Sequence, residues 1–214
     1  TAIYAEMNRV LAALHSVDID AAGLSDYGKP GSYFERQVGR WSKQYLTTQT
    51  ETIPAMDSLI KWLQSNMPAD DQKVSIAHGD FRLDNMMFDH DKAEVRALVD
   101  WELSTLGHPY ADLAYQCMQL RMPHTGTMSG LGGLDRAALG IPSEEAYVAQ
   151  YCERMGIDGI PNWHFYLAFS FFRLAAILQG VKRRAIDGNA SSDKAMTMGA
   201  LVAPLAEMAV TLID

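Results

Sequence analysis

The chain has 214 residues, of which 48% are hydrophobic and 21% charged, and its net charge is −8. This length suits one domain or two small ones, and the composition is ordinary for a globular protein. The acidic balance argues against a nucleic-acid partner, because phosphate backbones select clustered Lys and Arg. A small anionic substrate needs only a local positive pocket and is not excluded.

Helical periodicity opens the chain. The first helix is predicted from apolar residues that recur at helical spacing: Ile3, Met7, Val10, Leu11 and Leu14. Residues 18–31 are rich in turn formers. Ser32 and Glu35 have the spacing of a capping box, which predicts the start of a second helix. Pro54 suits the first position of a third.

The pattern then changes to short strands, predicted at residues 74–77, 85–88 and 95–99. After Pro109 a helix is predicted to about Leu120. Ser143 predicts the start of another helix, residues 162–185 a long buried one, and Ser192 or Asp193 the cap of the last. The predicted fold class is therefore α+β, mainly helical, with a small β insertion.

The most apolar run, residues 165–181, includes Arg173 and Gln179. A membrane span needs about 20 residues with fewer interruptions, so we expect a core helix and no membrane partner. No secretory segment opens the chain. Cys117 and Cys152 belong to no metal or redox motif, which favours buried thiols in a reducing compartment and a cytoplasmic location.

Residues 78–85 read HGDFRLDN and connect the first two predicted strands, and Asp100 ends the third. Phosphoryl transfer needs a positioned hydroxyl, an acceptor for its proton, and a cation that neutralises the phosphates. Asp80 can accept the proton. The amide oxygen of Asn85 and the carboxylate of Asp100 can hold Mg²⁺, which prefers oxygen ligands.

These residues, with LVDWE at 98–102 and GHPYADLA at 107–114, resemble the aminoglycoside phosphotransferase/choline kinase family. Within it the chain is most similar to the kinase-like domains related to those fused to acyl-CoA dehydrogenases. The motifs cover residues 78–114, and the flanking helices resemble the helical C-terminal lobe of the protein-kinase-like fold. The resemblance implies that Asp80 is the catalytic base, and that Asn85 and Asp100 bind Mg²⁺ and, through it, ATP.

The resemblance also implies supporting roles. His78 would brace the catalytic loop rather than react, and Asp112 would anchor that loop by hydrogen bonds. Arg82 and Asp84 lie inside the loop and could meet the substrate or the leaving phosphate, although a solvated ion pair is the alternative. Glu102 could be a further metal or substrate contact.

The three central residues have structural alternatives. Asp80 could be a carboxylate in a turn at a strand end, Asn85 an amide that caps a turn, and Asp100 a cap of the turn that follows it. The whole pattern, including the spacing of Asp100 from Asn85, favours catalysis and metal binding.

Family members also carry a β-rich N-terminal lobe with a phosphate-binding loop and a Lys that pairs with the nucleotide. Nothing before Asp80 resembles it, and the chain begins at Thr1, without Met, inside a helical pattern. We therefore expect residues 1–214 to be the helical C-terminal lobe alone, with its catalytic segment at 74–114. Such a fragment would be weakly active or inactive.

The expected function is ATP- and Mg²⁺-dependent phosphorylation of a hydroxyl on a small-molecule substrate, with a hydroxyacyl-CoA or related alcohol as the favoured acceptor. Three alternatives remain open at this point: a catalytically silent binding module, an aminoglycoside or choline-type kinase, and a metal-dependent phosphohydrolase. The last would favour a denser cluster of carboxylates and histidines than the sequence offers.

Overall fold

The computed structural model describes residues 2–124, 126, 128–189 and 194–213. The chain divides into two compact units. The first consists of Thr1–Gly31, Asp70–His124 and Ser129–Pro161, and the second mainly of Ser32–Ala69 and Asn162–Asp214.

Helices dominate the part of the chain that the structure describes, and all of its strands are short. The helices are α1 (Ala2–His15), α2 (Tyr33–Thr48), α3 (Pro54–Ser65), α4 (Pro109–Arg121), α5 (Glu144–Met155), α6 (Trp163–Ile186), α7 (Ala195–Gly199) and α8 (Val202–Val210). The strands are β1 (Ser75–Ala77), β2 (Met86–Phe88), β3 (Val95–Leu98) and β4 (Thr105–Gly107). Single 3-10 turns lie at Leu83–Asn85 and Trp101–Leu103.

The four strands among the described residues all lie in the first unit, in two antiparallel pairs. β1 pairs with β4, with Ile76 opposite Leu106. β2 and β3 form a hairpin in which Met86 lies opposite Leu98. The turn of this hairpin is stabilised by Asp89, whose carboxylate accepts the backbone amides of residues 91 and 92.

Helices α1, α4 and α5 complete the first unit, and local sequence explains their ends. Pro109 opens α4, and the His108 side chain accepts the amide of Tyr110. The Ser143 hydroxyl accepts the amide of Ala146 at the start of α5, and Gly156 ends that helix in the left-handed conformation. These ends fix the direction in which α4 leaves the β segment.

The second unit is built around α6, which packs against α2, α3, α7 and α8. Among the described residues, α6 is the one helix long and apolar enough to cross a membrane by length and composition. Within its most apolar window, 83% of the residues are buried inside the protein. That burial agrees with the predicted core helix.

Most elements predicted from the sequence are present within one or two residues of their expected bounds, and both cysteines are buried free thiols. The capping box at Ser32 is wrong, because Ser32 has a left-handed backbone and its side chain makes no capping hydrogen bond. Strand β4 was not predicted. The last helix is divided into α7 and α8, and its predicted caps, Ser192 and Asp193, lie outside the described residues.

Candidate active site

The β2–β3 hairpin brings Asn85 and Asp100 to one end of the same element. Asn85 directly precedes β2, and its carbonyl accepts the amide of Val99 at 3.0 Å just after β3 ends. Asp100 is the next residue, and its exposed side chain extends from a left-handed backbone with φ of 68°. That conformation costs a non-glycine residue about 1–3 kcal/mol, and such strain is concentrated at functional sites.

Asp80 and Asn85 are joined directly. The Asn85 side-chain amide donates one hydrogen bond to the Asp80 carboxylate oxygen Oδ2 and another to the Asp80 backbone carbonyl, each at 2.9 Å. Both amide hydrogens are thereby used. The Asp80 side chain is 22% exposed, so a small substrate can reach it.

The donor set at this end of the hairpin fits a magnesium ion. Because the amide nitrogen of Asn85 is committed to Asp80, the amide oxygen is the atom left to bind a cation, and the exposed Asp100 carboxylate follows the same end of the hairpin. The described residues contain no group of three or more His, Cys, Asp or Glu that could hold a metal. Two oxygen ligands are what Mg²⁺ commonly takes from protein when water and substrate phosphates supply the rest.

His78 connects the catalytic loop to the end of β3. Its Nδ1 accepts the Asp80 backbone amide at 3.3 Å, so the opposite nitrogen, Nε2, is the one that donates to the Val99 carbonyl at 3.1 Å. The ring is fully buried and packs on Phe81 and Trp101. These contacts join the loop to the end of β3, and the bracing role of His78 in catalysis stays a prediction.

Gly79 allows the loop to pass close to the segment that follows Asp100. Its φ is +85°, and a Cβ atom there would lie 2.5 Å from the Leu103 carbonyl oxygen. Only glycine satisfies both conditions. The close contact fixes the separation between the Asp80 loop and the Trp101–Leu103 turn.

Asp112, in the first turn of α4, holds the start of the catalytic loop. Its carboxylate accepts the backbone amides of His78 at 2.6 Å and Gly79 at 2.9 Å, and His15 approaches it at 3.5 Å. Burial by itself raises the pKa of Asp112, but the hydrogen bond and charge of His15 and the two loop amides bring that pKa below its ordinary value. The contacts are those expected of a loop anchor.

The remaining residues predicted to support the site are Arg82, Asp84 and Glu102. The Arg82 guanidinium lies between two carboxylates, with Nε 3.6 Å from the Asp80 oxygen Oδ2 and Nη2 3.4 Å from Asp84. Its Nε is buried and has no hydrogen-bond partner in the described part of the chain. Glu102 lies on the exposed Trp101–Leu103 turn. In the described part of the chain, no hydrogen bond or ion pair connects it to the other predicted site residues.

Sequence reasoning missed two residues that support the site. Ser104 donates its hydroxyl to the Ala77 carbonyl at 2.8 Å, which ties the turn after Asp100 to the end of β1. His15 contacts Asp112 from the end of α1. A signal for His15 was available: it follows the buried residues Met7 and Leu11 at intervals of four, where an apolar residue is expected.

The fold is that of kinase-like small-molecule phosphotransferases. A macrolide 2′-phosphotransferase from Brachybacterium faecium superposes with a TM-score of 0.58 at 18% identity, over 94% of this chain and 61% of that one. At that identity the likeness concerns the fold alone. The chain belongs to the APH phosphotransferase enzyme family, whose model matches residues 1–158.

Three relatives share more of the sequence. A crystal structure from Ralstonia eutropha, described as a candidate aminoglycoside phosphotransferase, is 53% identical with a TM-score of 0.94, over 99% of this chain and 64% of that one. Acyl-CoA dehydrogenase family member 10 of Mus musculus is 51% identical over 97% of this chain and 20% of its own length. Acyl-CoA dehydrogenase family member 11 of Rattus norvegicus is 44% identical over 99% of this chain and 27% of its own length.

The matches confirm the family and the predicted resemblance to domains fused to acyl-CoA dehydrogenases. The chain spans 20% and 27% of the length of these two curated relatives. It spans 64% of the solved Ralstonia chain.

Proposed function

We propose that this chain carries the catalytic half of an ATP- and Mg²⁺-dependent phosphotransferase that acts on a small-molecule hydroxyl. The observation that carries the proposal is the pair of hydrogen bonds from Asn85 to Asp80. They hold the candidate base, and they leave the Asn85 amide oxygen as the atom that would bind a cation.

The chemistry follows from the atoms that remain available. The Asp80 oxygen Oδ2 already accepts a hydrogen bond from Asn85, and we propose Oδ1 as the oxygen that would accept the proton of the substrate hydroxyl. The hydroxyl oxygen then attacks the terminal phosphorus of ATP, and the bond from that phosphorus to the leaving ADP oxygen breaks. Bound Mg²⁺, held by Asn85 and Asp100, would neutralise phosphate charge. The protein's own contribution is positioning and proton acceptance.

For the acceptor we propose a hydroxyacyl-CoA or a related alcohol. Two relatives over nearly the whole chain are named acyl-CoA dehydrogenase family members. Arg82 is a cation beside the candidate base, and its buried Nε has no hydrogen-bond partner in the described part of the chain. The Asp80 and Asp84 carboxylates lie 3.6 and 3.4 Å from this guanidinium, and we propose that an anionic acceptor would compete with them for it, as a polycationic one would not. We propose a cytoplasmic location and no nucleic-acid or membrane partner.

We also propose that the nucleotide is clamped by a further lobe, N-terminal to this chain in the full-length protein. The relatives are longer than the matched region, which is 64% of the solved Ralstonia chain. Within the described residues the candidate nucleotide contacts are Asn85 and Asp100, which would act through the cation. Half of a phosphate clamp binds nucleotide weakly, so the assay needs the full-length protein.

The test is ATP consumption by the full-length protein with hydroxyacyl-CoAs, choline-like alcohols and aminoglycosides as acceptors. Asp80→Asn should lower turnover by at least about 10²-fold, the usual contribution of a general base. Asp91→Asn is the matched control, because Asp91 is 87% exposed in the turn at the far end of the same hairpin. It should turn over like the wild type.

Each other outcome selects an alternative. Unchanged turnover in Asp80→Asn removes Asp80 as the base. No turnover with any acceptor, together with no Mg²⁺-dependent ATP binding, favours a binding module. ATP loss without an acceptor indicates a phosphohydrolase, and turnover confined to aminoglycosides or choline-like alcohols replaces the proposed acceptor.

A further inference from the structure

Three buried polar side chains form a row that ends at the loop before Asp80. The Tyr151 hydroxyl on α5 lies 2.8 Å from Nδ1 of His15 at the end of α1, and Nε2 of His15 lies 3.5 Å from Oδ2 of Asp112. We propose that His15 is a positioning residue for phosphoryl transfer, acting on the loop through Asp112 and oriented by Tyr151. This inference rests on the proposed function.

The row is closed to solvent. The side chains of His15 and Asp112 are 0% and 1% exposed, and Tyr151 is fully buried. The rings of His15 and Tyr151 meet edge to face at 5.8 Å, which fixes the plane of the imidazole. Three polar side chains are thus held at an apolar junction of helices, where an unsatisfied group would be costly.

The direction of the hydrogen bonds follows from the carboxylate. Asp112 can only accept, so Nε2 of His15 must carry a proton toward it. Burial raises the pKa of Tyr151, so its hydroxyl keeps its proton and shares the second hydrogen bond, at 2.8 Å, with Nδ1 of His15. His15 then has one partner on each side. The 3.5 Å contact is at the outer limit of a hydrogen bond, so its effect on Asp112 is largely electrostatic.

The contact between His15 and Asp112 is relevant to the reaction because Asp112 holds the residues next to Asp80. Its two oxygens accept the amides of His78 and Gly79, which directly precede Asp80. A shift of the carboxylate therefore moves the residue proposed as the base. A displacement near 1 Å can reduce a rate by about 100-fold even when it arises away from the chemistry.

A purely structural role for His15 is separable, because α1 offers a matched residue. Asn8 is buried two turns earlier and donates to the Tyr147 carbonyl at 2.8 Å, which also joins α1 to α5. It does not touch Asp112. Tyr147 provides the second control, since its buried hydroxyl has no hydrogen-bond partner in the described part of the chain.

The experiment compares kcat and KM of the full-length protein in matched pairs. His15→Ala should lower kcat about 10- to 100-fold with little change in KM for ATP or acceptor. Asn8→Ala should lose thermal stability and keep kcat. His15→Gln, which can still donate to Asp112, should recover most of kcat. Tyr151→Phe should lower kcat by less than His15→Ala, and Tyr147→Phe should not lower it.

A second readout is independent of turnover. Hydrogen exchange of the His78 and Gly79 amides should accelerate in His15→Ala, measured against amides in the middle of α4, and stay unchanged in Asn8→Ala. If His15→Ala and Asn8→Ala lower kcat alike, or if these two amides are unaffected by loss of His15, the positioning role is overturned. Failure of the proposed function looks different, because the wild type itself would then transfer no phosphate.

Discussion

The substitution Asp112→Asn tests the loop anchor. An asparagine side chain can accept one of the two amides that Asp112 accepts, from His78 at 2.6 Å or from Gly79 at 2.9 Å. Its NH₂ group then faces the other amide, and a buried donor is left unsatisfied, which costs about 1–3 kcal/mol. Loss of the charge-assisted character of the remaining bond adds about 1 kcal/mol. We expect a decrease of about 2–4 kcal/mol in the free energy of unfolding, with lower activity as well.

The pH dependence of this decrease has a definite sign. The pKa of Asp112 in the folded chain lies below its ordinary value of 3.8. The folded state therefore favours the ionised carboxylate, and the stability that it contributes is fully present above that value. It is lost as the pH falls from there toward the folded-state pKa. The stability difference between wild type and Asp112→Asn should be largest near neutral pH and should shrink below about pH 4.

The assay is urea unfolding followed by circular dichroism and tryptophan fluorescence at several pH values from neutral to acid. Asp91→Asn serves as the control, since Asp91 is exposed, and we expect it to change stability by less than about 0.5 kcal/mol. A loss in Asp112→Asn below about 1 kcal/mol at neutral pH would refute the anchoring argument. So would a larger loss that stays constant as the pH is lowered through the titration of the carboxylate.

Three further outcomes are expected. Gly79→Ala should lower stability by about 3 kcal/mol, because its φ is +85° and the added Cβ would lie 2.5 Å from the Leu103 carbonyl; an unchanged melting temperature would contradict this. Arg121→Ala should cost about 2 kcal/mol in urea unfolding, since the buried Glu144 carboxylate loses the two charge-assisted hydrogen bonds that it accepts from Arg121. Adding Glu144→Gln should restore part of that loss. Asn85→Ala in the full-length protein should raise the Mg²⁺ concentration for half-maximal activity at least about tenfold. If the variant needs the same Mg²⁺ concentration as the wild type, Asn85 is not a ligand.

Local sequence predicted most elements of the fold because their signals are local. Helical periodicity, Pro109 and Ser143 place helix starts where the structure has them. The predicted capping box at Ser32 is wrong because the motif does not specify the backbone conformation of the serine. Ser32 follows Gly31, and both have positive φ, whereas a capping serine needs an extended backbone.

Strand β4 shows a second limit of local reading. Its three residues, Thr105–Gly107, have no alternation that would mark a strand, and they become one by pairing with β1 about thirty positions earlier. Long-range pairing depends on how the intervening chain folds back. That pairing in turn places the Trp101–Leu103 turn against Gly79.

The sequence by itself determined the chemical groups of the site and the family that carries them. Asp80, Asn85 and Asp100 lie within 21 positions of one another, and their residue types restrict the chemistry to oxygen ligands and a carboxylate base. Only the tertiary structure decided which atoms face each other. In the structure, Asn85 donates both of its amide hydrogens to Asp80. His15 contacts Asp112, which is 97 positions away in the sequence. Such contacts depend on how helices α1, α4 and α5 pack against the β segment, and packing between distant elements is not encoded in the residues next to either partner.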